Sequence, residues 1–370
     1  MNSLPGQATP QGTAEYQKRH ASPSAPGHFR ALQGLSLSSI GIGTYLGSDD
    51  DADDTRYRDA VVRALERGLN VIDTAINYRS QRSERAVGAA LRLASERGLA
   101  RRDQVVVATK GGYLPFDGRR PRDFRAYLEE TWMKPGVFTV QDLVAGCHCM
   151  TPRYLKDQLG RSLQNLGLQT IDVYYLHNPE TQLDEVPRPE FLRRLRAAFE
   201  TLEAACAEGK IGLYGTATWN GYRERPGAPG HLALRELTDL AREVAGDGHH
   251  LRALQLPYNL AMPEAFVLPT QEARGRPAPL LEAAAEAGIY VMTSASILQG
   301  RLARGLPAEV RQKLDPRLPS DAQRALQFVR STPGVGTALA GMKRLEHVDE
   351  NAGVAAVDPT APETIRSLFQ

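Results

Sequence analysis

Cysteine is scarce. The 370 residues hold three, Cys147, Cys149 and Cys206. Three thiols cannot build a disulfide framework, and they suit a reducing compartment, so the cytosol is expected. An excess of one charge is also missing. Lys and Arg number 45 against 43 Asp and Glu, a net charge of +2, which offers no broad field for nucleic acid. No apolar run approaches the roughly 20 residues that a membrane-spanning helix needs, and no apolar core of a secretory signal stands near the start. A strand–GxGxxG–helix fingerprint is absent from the first turn, which weighs against a doubly wound dinucleotide-binding sheet.

What is present is an alternation. Short apolar runs occur at SSIGIG (38–43), NVIDTA (70–75), QVVVATK (104–110) and IDVYYLH (171–177). The series goes on with IGLYGTA (211–217), LRALQLP (251–257), GIYVMTSA (288–295) and VGTALAG (335–341). Helical patterns lie between them: Val87, Ala90, Leu91 and Ala94 share one face, and Thr151-Pro152 opens a helix carrying Leu155, Leu159, Leu163 and Leu166. Strands apolar on both faces that alternate with helices predict a parallel sheet, and eight such units predict a closed (β/α)₈ TIM barrel.

That barrel is expected over residues 29–358, as one catalytic domain, with FRALQGLSLSS (29–39) as a hairpin at the barrel floor and a long excursion over 111–150 after strand three. Residues 1–28 are rich in Pro, Gly, Ser, Ala and Gln and predict a disordered leader, with an arm on a neighbouring subunit as the alternative. Residues 359–370 are expected to form a C-terminal tail.

Barrel enzymes gather their chemistry at the carboxyl ends of the strands. Strands two, three and four end in Asp73, Lys110 and His177, and Tyr78 follows in the loop after Asp73. Such a group of side chains can deliver a proton to a substrate oxygen. A tyrosine is a weak acid, with a reference pKa of about 10. A nearby Lys110 ammonium, held by Asp73, is expected to lower the Tyr78 pKa, while His177 donates a hydrogen bond to the substrate oxygen. Each residue also has a plain structural reading: Asp73–Lys110 as a buried ion pair, His177 as a core histidine, Tyr78 as a rim aromatic. Their convergence on one mouth favours chemistry.

These residues resemble the aldo-keto reductases, from about residue 36 to 355. The resemblance rests on IDTAINYRSQRSERAVGAAL (72–91), VVVATKGG (105–112), LGLQTIDVYYLHNPE (166–180) and GMKRLEHVDEN (341–351). Asp73, Tyr78, Ser83 and Glu84 meet the family's Asp-x-Ala-x-x-Tyr…Ser-Glu pattern, and Thr109-Lys110 and Leu176-His177 meet its strand-three and strand-four pairs. The resemblance implies Tyr78 as general acid, Asp73 and Lys110 as its tuners, and His177 as orienting donor.

It also implies a nicotinamide cofactor across the barrel mouth, with no metal. Gly43-Thr44 would face the nicotinamide ribose and Gln255 the carboxamide. Ala217-Thr218 stands where the family commonly has Ser-Asn, and Ser294 where a stacking tyrosine is frequent, so Trp219, Tyr113 or Tyr258 is expected to supply the aromatic platform. Glu350-Asn351 would hold the adenine, and Lys343 and Arg344 the 2′-phosphate, which favours NADPH over NADH. Met342 and His347 depart from the family's usual residues there.

Two further motifs are read conservatively. Cys147-His148-Cys149 lacks the ligand spacing of tetrahedral zinc, and the run GRRPRDFR (118–125) reads as a solvated excursion. Tyr113, Phe116, Tyr127, Trp132 and Phe138 give the excursion enough aromatic surface to wall an apolar substrate pocket or anchor a neighbouring subunit. The expected function is NADPH-dependent reduction of an aldehyde or ketone, on a small carbonyl substrate, without nucleic acid or membrane; a homo-oligomer stays open. The alternatives are a non-catalytic NADPH-binding regulatory subunit and a Schiff-base aldolase using Lys110.

Overall fold

The computed structural model describes residues 3–22 and 24–370. Eight strands pair in parallel and close on themselves: β1 (Ile40–Gly43), β2 (Val71–Asp73), β3 (Val106–Gly111), β4 (Ile171–His177), β5 (Ile211–Ala217), β6 (Leu251–Pro257), β7 (Tyr290–Ser294) and β8 (Val335–Gly341). Ile72 pairs with Val107, Ala108 with Val173 and Ala217 with Gln255, and the seam closes where Ala340 meets Ile42. This is the (β/α)₈ barrel that the alternation predicts.

The two-residue period of a strand explains the composition of these runs. Val71, Val106, Ala108, Val173, Tyr175, Ala253, Met292 and Leu339 form the cluster inside the barrel. Their neighbours Ile72, Val107, Tyr174 and Leu254 belong to the larger core between strands and helices. The inward series ends, strand by strand, in Asp73, Lys110, His177 and Gln255. The pleat that fills the barrel therefore also delivers these side chains to its rim.

The helices bury the faces that their periodicity marks. Arg82–Glu96 buries Val87, Ala90, Leu91 and Ala94. Pro152–Leu166 starts from Thr151 with proline at its first position, buries Leu155, Leu159 and Leu166, and stops at Gly167 with φ 63. Burial of each such leucine contributes roughly 1.5–3 kcal/mol. Among the described residues no helix is long and apolar enough to cross a membrane.

The floor corrects one expectation. The leader is not disordered over its described length: Pro10–Arg19 is a helix, capped by the Thr9 hydroxyl at 3.0 Å from the Gly12 N–H. Tyr16 is wholly buried and its hydroxyl donates to the Leu65 carbonyl at 2.6 Å. Leu4 bonds through its backbone to Gly167 and Gln169, and the Ala8 N–H donates to Asp172 at 2.6 Å. The low-complexity average of the segment conceals one good cap and a few anchors. Asp172 in turn pairs with buried Arg102 at 2.8 Å. The hairpin Phe29–Leu32/Leu35–Ser38 lies where the sequence places it, with Leu32 and Leu37 in the inner cluster beside Ala8. The tail also packs, through a helix at Pro362–Ser367 and buried Ile365.

Candidate functional site

The carboxyl ends of the strands open into a cavity of about 830 Å³. At its base Lys110 is completely buried, and its Nζ lies 2.8 and 2.7 Å from the two Asp73 carboxylate oxygens. The same ammonium donates to the Thr74 carbonyl at 2.8 Å and to the Tyr78 hydroxyl at 3.3 Å. Gln255 Nε2 adds a second donor to Asp73, at 2.8 Å. Tyr78 and His177 face each other edge-on, with ring centres 6.0 Å apart. Asp73, Tyr78 and His177 line the cavity, while Lys110 stands directly beneath it.

The electrostatics differ from the sequence expectation at one residue. Burial pushes the Tyr78 hydroxyl well above the ordinary tyrosine range, and the Asp73 carboxylate pushes in the same direction. The Lys110 ammonium, itself paired with both Asp73 oxygens, does not outweigh these two effects. Burial lowers the Lys110 pKa, with Asp73 opposing. His177 is held well below the usual imidazole range by burial and then by Lys110, so it is neutral at neutral pH with one N–H to give.

The Ser83-Glu84 pair is scaffold. The Ser83 hydroxyl donates to the Thr44 carbonyl at 2.8 Å, which fixes the turn after β1. Glu84 is buried, accepting from the Thr109 hydroxyl at 2.7 Å and from Asn165 at 2.8 Å. Both brace the strand ends that surround the cavity.

Gly43, Thr218, Gln255, Ser294, Lys343, Arg344, Glu350 and Asn351 all line the cavity. Thr44 does not. It is buried behind the wall, with its hydroxyl on the Asp73 carbonyl at 3.2 Å. Lys343 bonds to Asp53 at 2.8 Å, whereas Arg344 is largely exposed. Of the three aromatic platforms, Tyr258 is buried against Phe328, and Tyr113 sets its edge on His177 with its hydroxyl bonded to Thr181. Trp219 alone is both in the cavity wall and substantially exposed.

The sequence reading passed over Tyr45, Asn77 and Asn178, which also line this cavity. Tyr45 packs edge-on against Tyr78 at 4.9 Å, and Asn178 leaves β4 with φ 44. Both directly follow residues that had been singled out, which was the available signal. Most aromatics of the excursion do not wall the cavity. Trp132, Phe138 and Tyr154 form a small core of their own, and of the excursion residues only Tyr113 reaches the cavity. A second groove of about 770 Å³, bounded by Arg193, His231 and Glu272, shares no lining residue with the first.

Comparison with known proteins identifies relatives of this chain. The aldo/keto reductase family pattern matches residues 39–225. An NADH-specific methylglyoxal reductase of Escherichia coli is 28% identical over 189 residues, 50% of this chain and 49% of that protein. A D-threo-aldose 1-dehydrogenase of a Pseudomonas species is 30% identical over 52% of each chain. The chain thus spans about half the length of these two relatives. A putative voltage-gated potassium channel subunit beta of Schizosaccharomyces pombe is 24% identical over 93% of this chain and 92% of its own length. Among solved structures, an aldo/keto reductase from Klebsiella pneumoniae in complex with NADP and acetate superposes with a TM-score of 0.60 at 24% identity, covering 93% and 94% of the two chains. That likeness is one of fold. With the pattern extending across Asp73, Tyr78, Lys110 and His177, the chain belongs to the aldo/keto reductase family.

Proposed function

We propose that this protein reduces an aldehyde or ketone to an alcohol with NADPH. The observation that carries the reading is the placement of Lys110 Nζ between the Asp73 carboxylate and the Tyr78 hydroxyl, at the base of a cavity that His177 also lines.

The cavity suits a nicotinamide dinucleotide on its own chemistry. Among the described residues Asn351 Oδ1 and Thr218 Oγ1 are buried without a partner, and both residues line it. Buried polar atoms of this kind call for a partner. Asn351 and Glu350 would hold the adenine end, Arg344 and Lys343 a 2′-phosphate, and Gln255, Ser294 and Gly43 the nicotinamide end. Gln255 spends its amide nitrogen on Asp73, which leaves its oxygen to accept. When bound, the cofactor supplies the hydride.

The chain's own residues manage the proton. His177, neutral, donates its single N–H to the carbonyl oxygen and orients it. Tyr78 remains protonated because burial raises it. An alkoxide is a stronger base than a phenolate, so the proton still moves from the Tyr78 oxygen to the substrate oxygen. The tyrosinate left behind faces the Lys110 ammonium, which stabilises it. An imine-forming role for Lys110 conflicts with the geometry, since its hydrogens already point at Asp73, Thr74 and Tyr78.

Similarity to the putative channel subunit favours a second reading, in which the nucleotide is bound and turnover is incidental. One experiment separates the two. Tyr78→Phe should retain NADPH binding, followed by fluorescence, and lose nearly all turnover over a panel of aldehydes and ketones with NADPH and NADH. Near wild-type turnover in that variant overturns the reductase reading. A wild-type protein that binds NADPH but reduces nothing supports the second.

A further inference from the structure

The triplet Cys147-His148-Cys149 remains without a part in this chemistry, yet its histidine reaches the site. His148 is wholly buried, and its Nε2 lies 2.8 Å from the carbonyl oxygen of His177. Its Nδ1 lies 2.8 Å from Gln182 Nε2, and Gln182 Oε1 lies 2.7 Å from Arg194 Nη1. A guanidinium only donates, so the Gln182 oxygen faces Arg194 and its amide nitrogen faces His148. His148 Nδ1 must then accept, and its Nε2 carries the hydrogen. Burial keeps this imidazole neutral, pushed down to about 4. Every donor in the series from Arg194 to the His177 carbonyl therefore has one direction.

Two more observations meet at the same point. Gly112 has φ +140, and a side chain there would put its Cβ 2.8 Å from His148 Nε2 and 2.9 Å from the His177 oxygen. The bond occupies space that only glycine leaves open. The Tyr113 ring stands edge-on to both His148 and His177, with ring centres 5.1 Å away in each case. The His177 imidazole has no side-chain hydrogen bond of its own among the described residues, and its Nδ1 is buried without a partner. The chain turns out of β4 immediately afterwards, at Asn178. Its orientation is left to its backbone and to ring packing.

We infer that His148 is a positioning residue for His177, holding its carbonyl oxygen from the excursion after β3 so that the imidazole meets the substrate oxygen at a fixed angle. The inference rests on the reading of His177 as the orienting donor. It also gives the 111–150 excursion a catalytic purpose.

The test compares His148→Leu, which removes the donor, with His148→Gln, which keeps an N–H in the same region. NADPH binding should be unchanged in both. In His148→Leu, kcat should fall on the order of tenfold to a hundredfold with a smaller change in KM, and His148→Gln should recover most of it. Imidazole ¹H–¹⁵N spectra, with His177 assigned by its own substitution, should show its signals shifted and broadened in His148→Leu and restored in His148→Gln. A His148→Leu enzyme with wild-type kcat and His177 signals overturns the inference, as does equal damage in both variants. If the wild-type protein reduces no carbonyl, the reductase reading fails, and the His177 spectra alone decide the positioning. Should His148→Leu not fold, Gln182→Met removes the Nδ1 partner and asks the same question through the same readouts.

Discussion

Lys343 Nζ lies 2.8 Å from Asp53 Oδ2, joining the turn after β8 to the helix after β1. Burial alone would raise the Asp53 carboxyl, but bonds from Lys343, the Ser48 N–H and Arg56 hold it below the ordinary carboxylate range. A 2′-phosphate approaching Lys343 must compete with that carboxylate. Among the described residues Arg344 has only a 3.5 Å contact with exposed Glu346, and it can turn toward the cavity that it lines.

The two cations should therefore be unequal. Arg344→Ala is expected to weaken NADPH binding by about tenfold, or ~1.4 kcal/mol, and to leave NADH nearly unchanged. Lys343→Ala should cost less. Asp53→Asn, by releasing Lys343, should raise the preference for NADPH over NADH. Fluorescence titration of both nucleotides checks the order. A larger loss from Lys343→Ala would transfer the phosphate contact to Lys343.

The base of the site gives a sharper contrast. Asp73→Asn leaves the buried Lys110 ammonium with no counter-charge, and breaking a buried pair from one side typically costs about 3–5 kcal/mol. Lys110→Met strands the Asp73 carboxylate instead, but that group keeps the Gln255 donor and faces the cavity, where water can reach it. Asp73→Asn is thus expected to be the less stable variant, although both should lose turnover. Urea denaturation of the two decides it. Equal stability would mean that the pair is not the main electrostatic feature of the buried base.

How much of this was legible in the sequence depends on the length scale of the signal. Strand ends are set by a two-residue period, so Asp73, Lys110, His177 and Gln255 could be placed on one rim from their runs alone. The pairing of Lys343 with Asp53 could not, because 290 residues separate the partners and no local pattern records their approach. The raised Tyr78 pKa was hidden for a similar reason: proximity to Lys110 was legible, while the bidentate hold of Asp73 and the depth of burial were not. The leader was misread because composition is an average. One cap at Thr9 and one side chain at Tyr16 decide the conformation of a segment whose mean looks disordered.

Two buried histidines predict the acid limb of stability. His28 sits between the Ser39 hydroxyl and the Gly68 carbonyl, and burial pushes it down to about 4, as it does His148. Unfolded, each binds a proton near 6.5, whereas the folded protein does not until about pH 4. Stability is thus full above about pH 6.5 and is lost as pH falls toward 4, by an amount on the order of 3 kcal/mol per histidine. His148→Gln should flatten the pH dependence of denaturant midpoints in this window without changing its sign. An unchanged slope would show that His148 titrates normally.

The last prediction concerns the floor. Tyr16 fills a site against the helix Asp51–Glu66, and its hydroxyl satisfies the Leu65 carbonyl, which stands in the last turn of that helix. Tyr16→Phe removes only the hydrogen bond and should cost on the order of 1 kcal/mol. Tyr16→Ala also opens a cavity where the ring was, and large aromatic truncations typically cost about 3–5 kcal/mol. The rim that carries Asp73, Tyr78 and His177 lies at the opposite end of the barrel, so both variants should keep the kcat of the wild type at temperatures where they remain folded. Removal of residues 1–27 should match or exceed the loss from Tyr16→Ala, since it also takes away the Leu4 and Ala8 contacts. Thermal denaturation followed by circular dichroism measures all three. If the truncated protein melts with the full chain, the helix Pro10–Arg19 contributes nothing to the barrel that it covers.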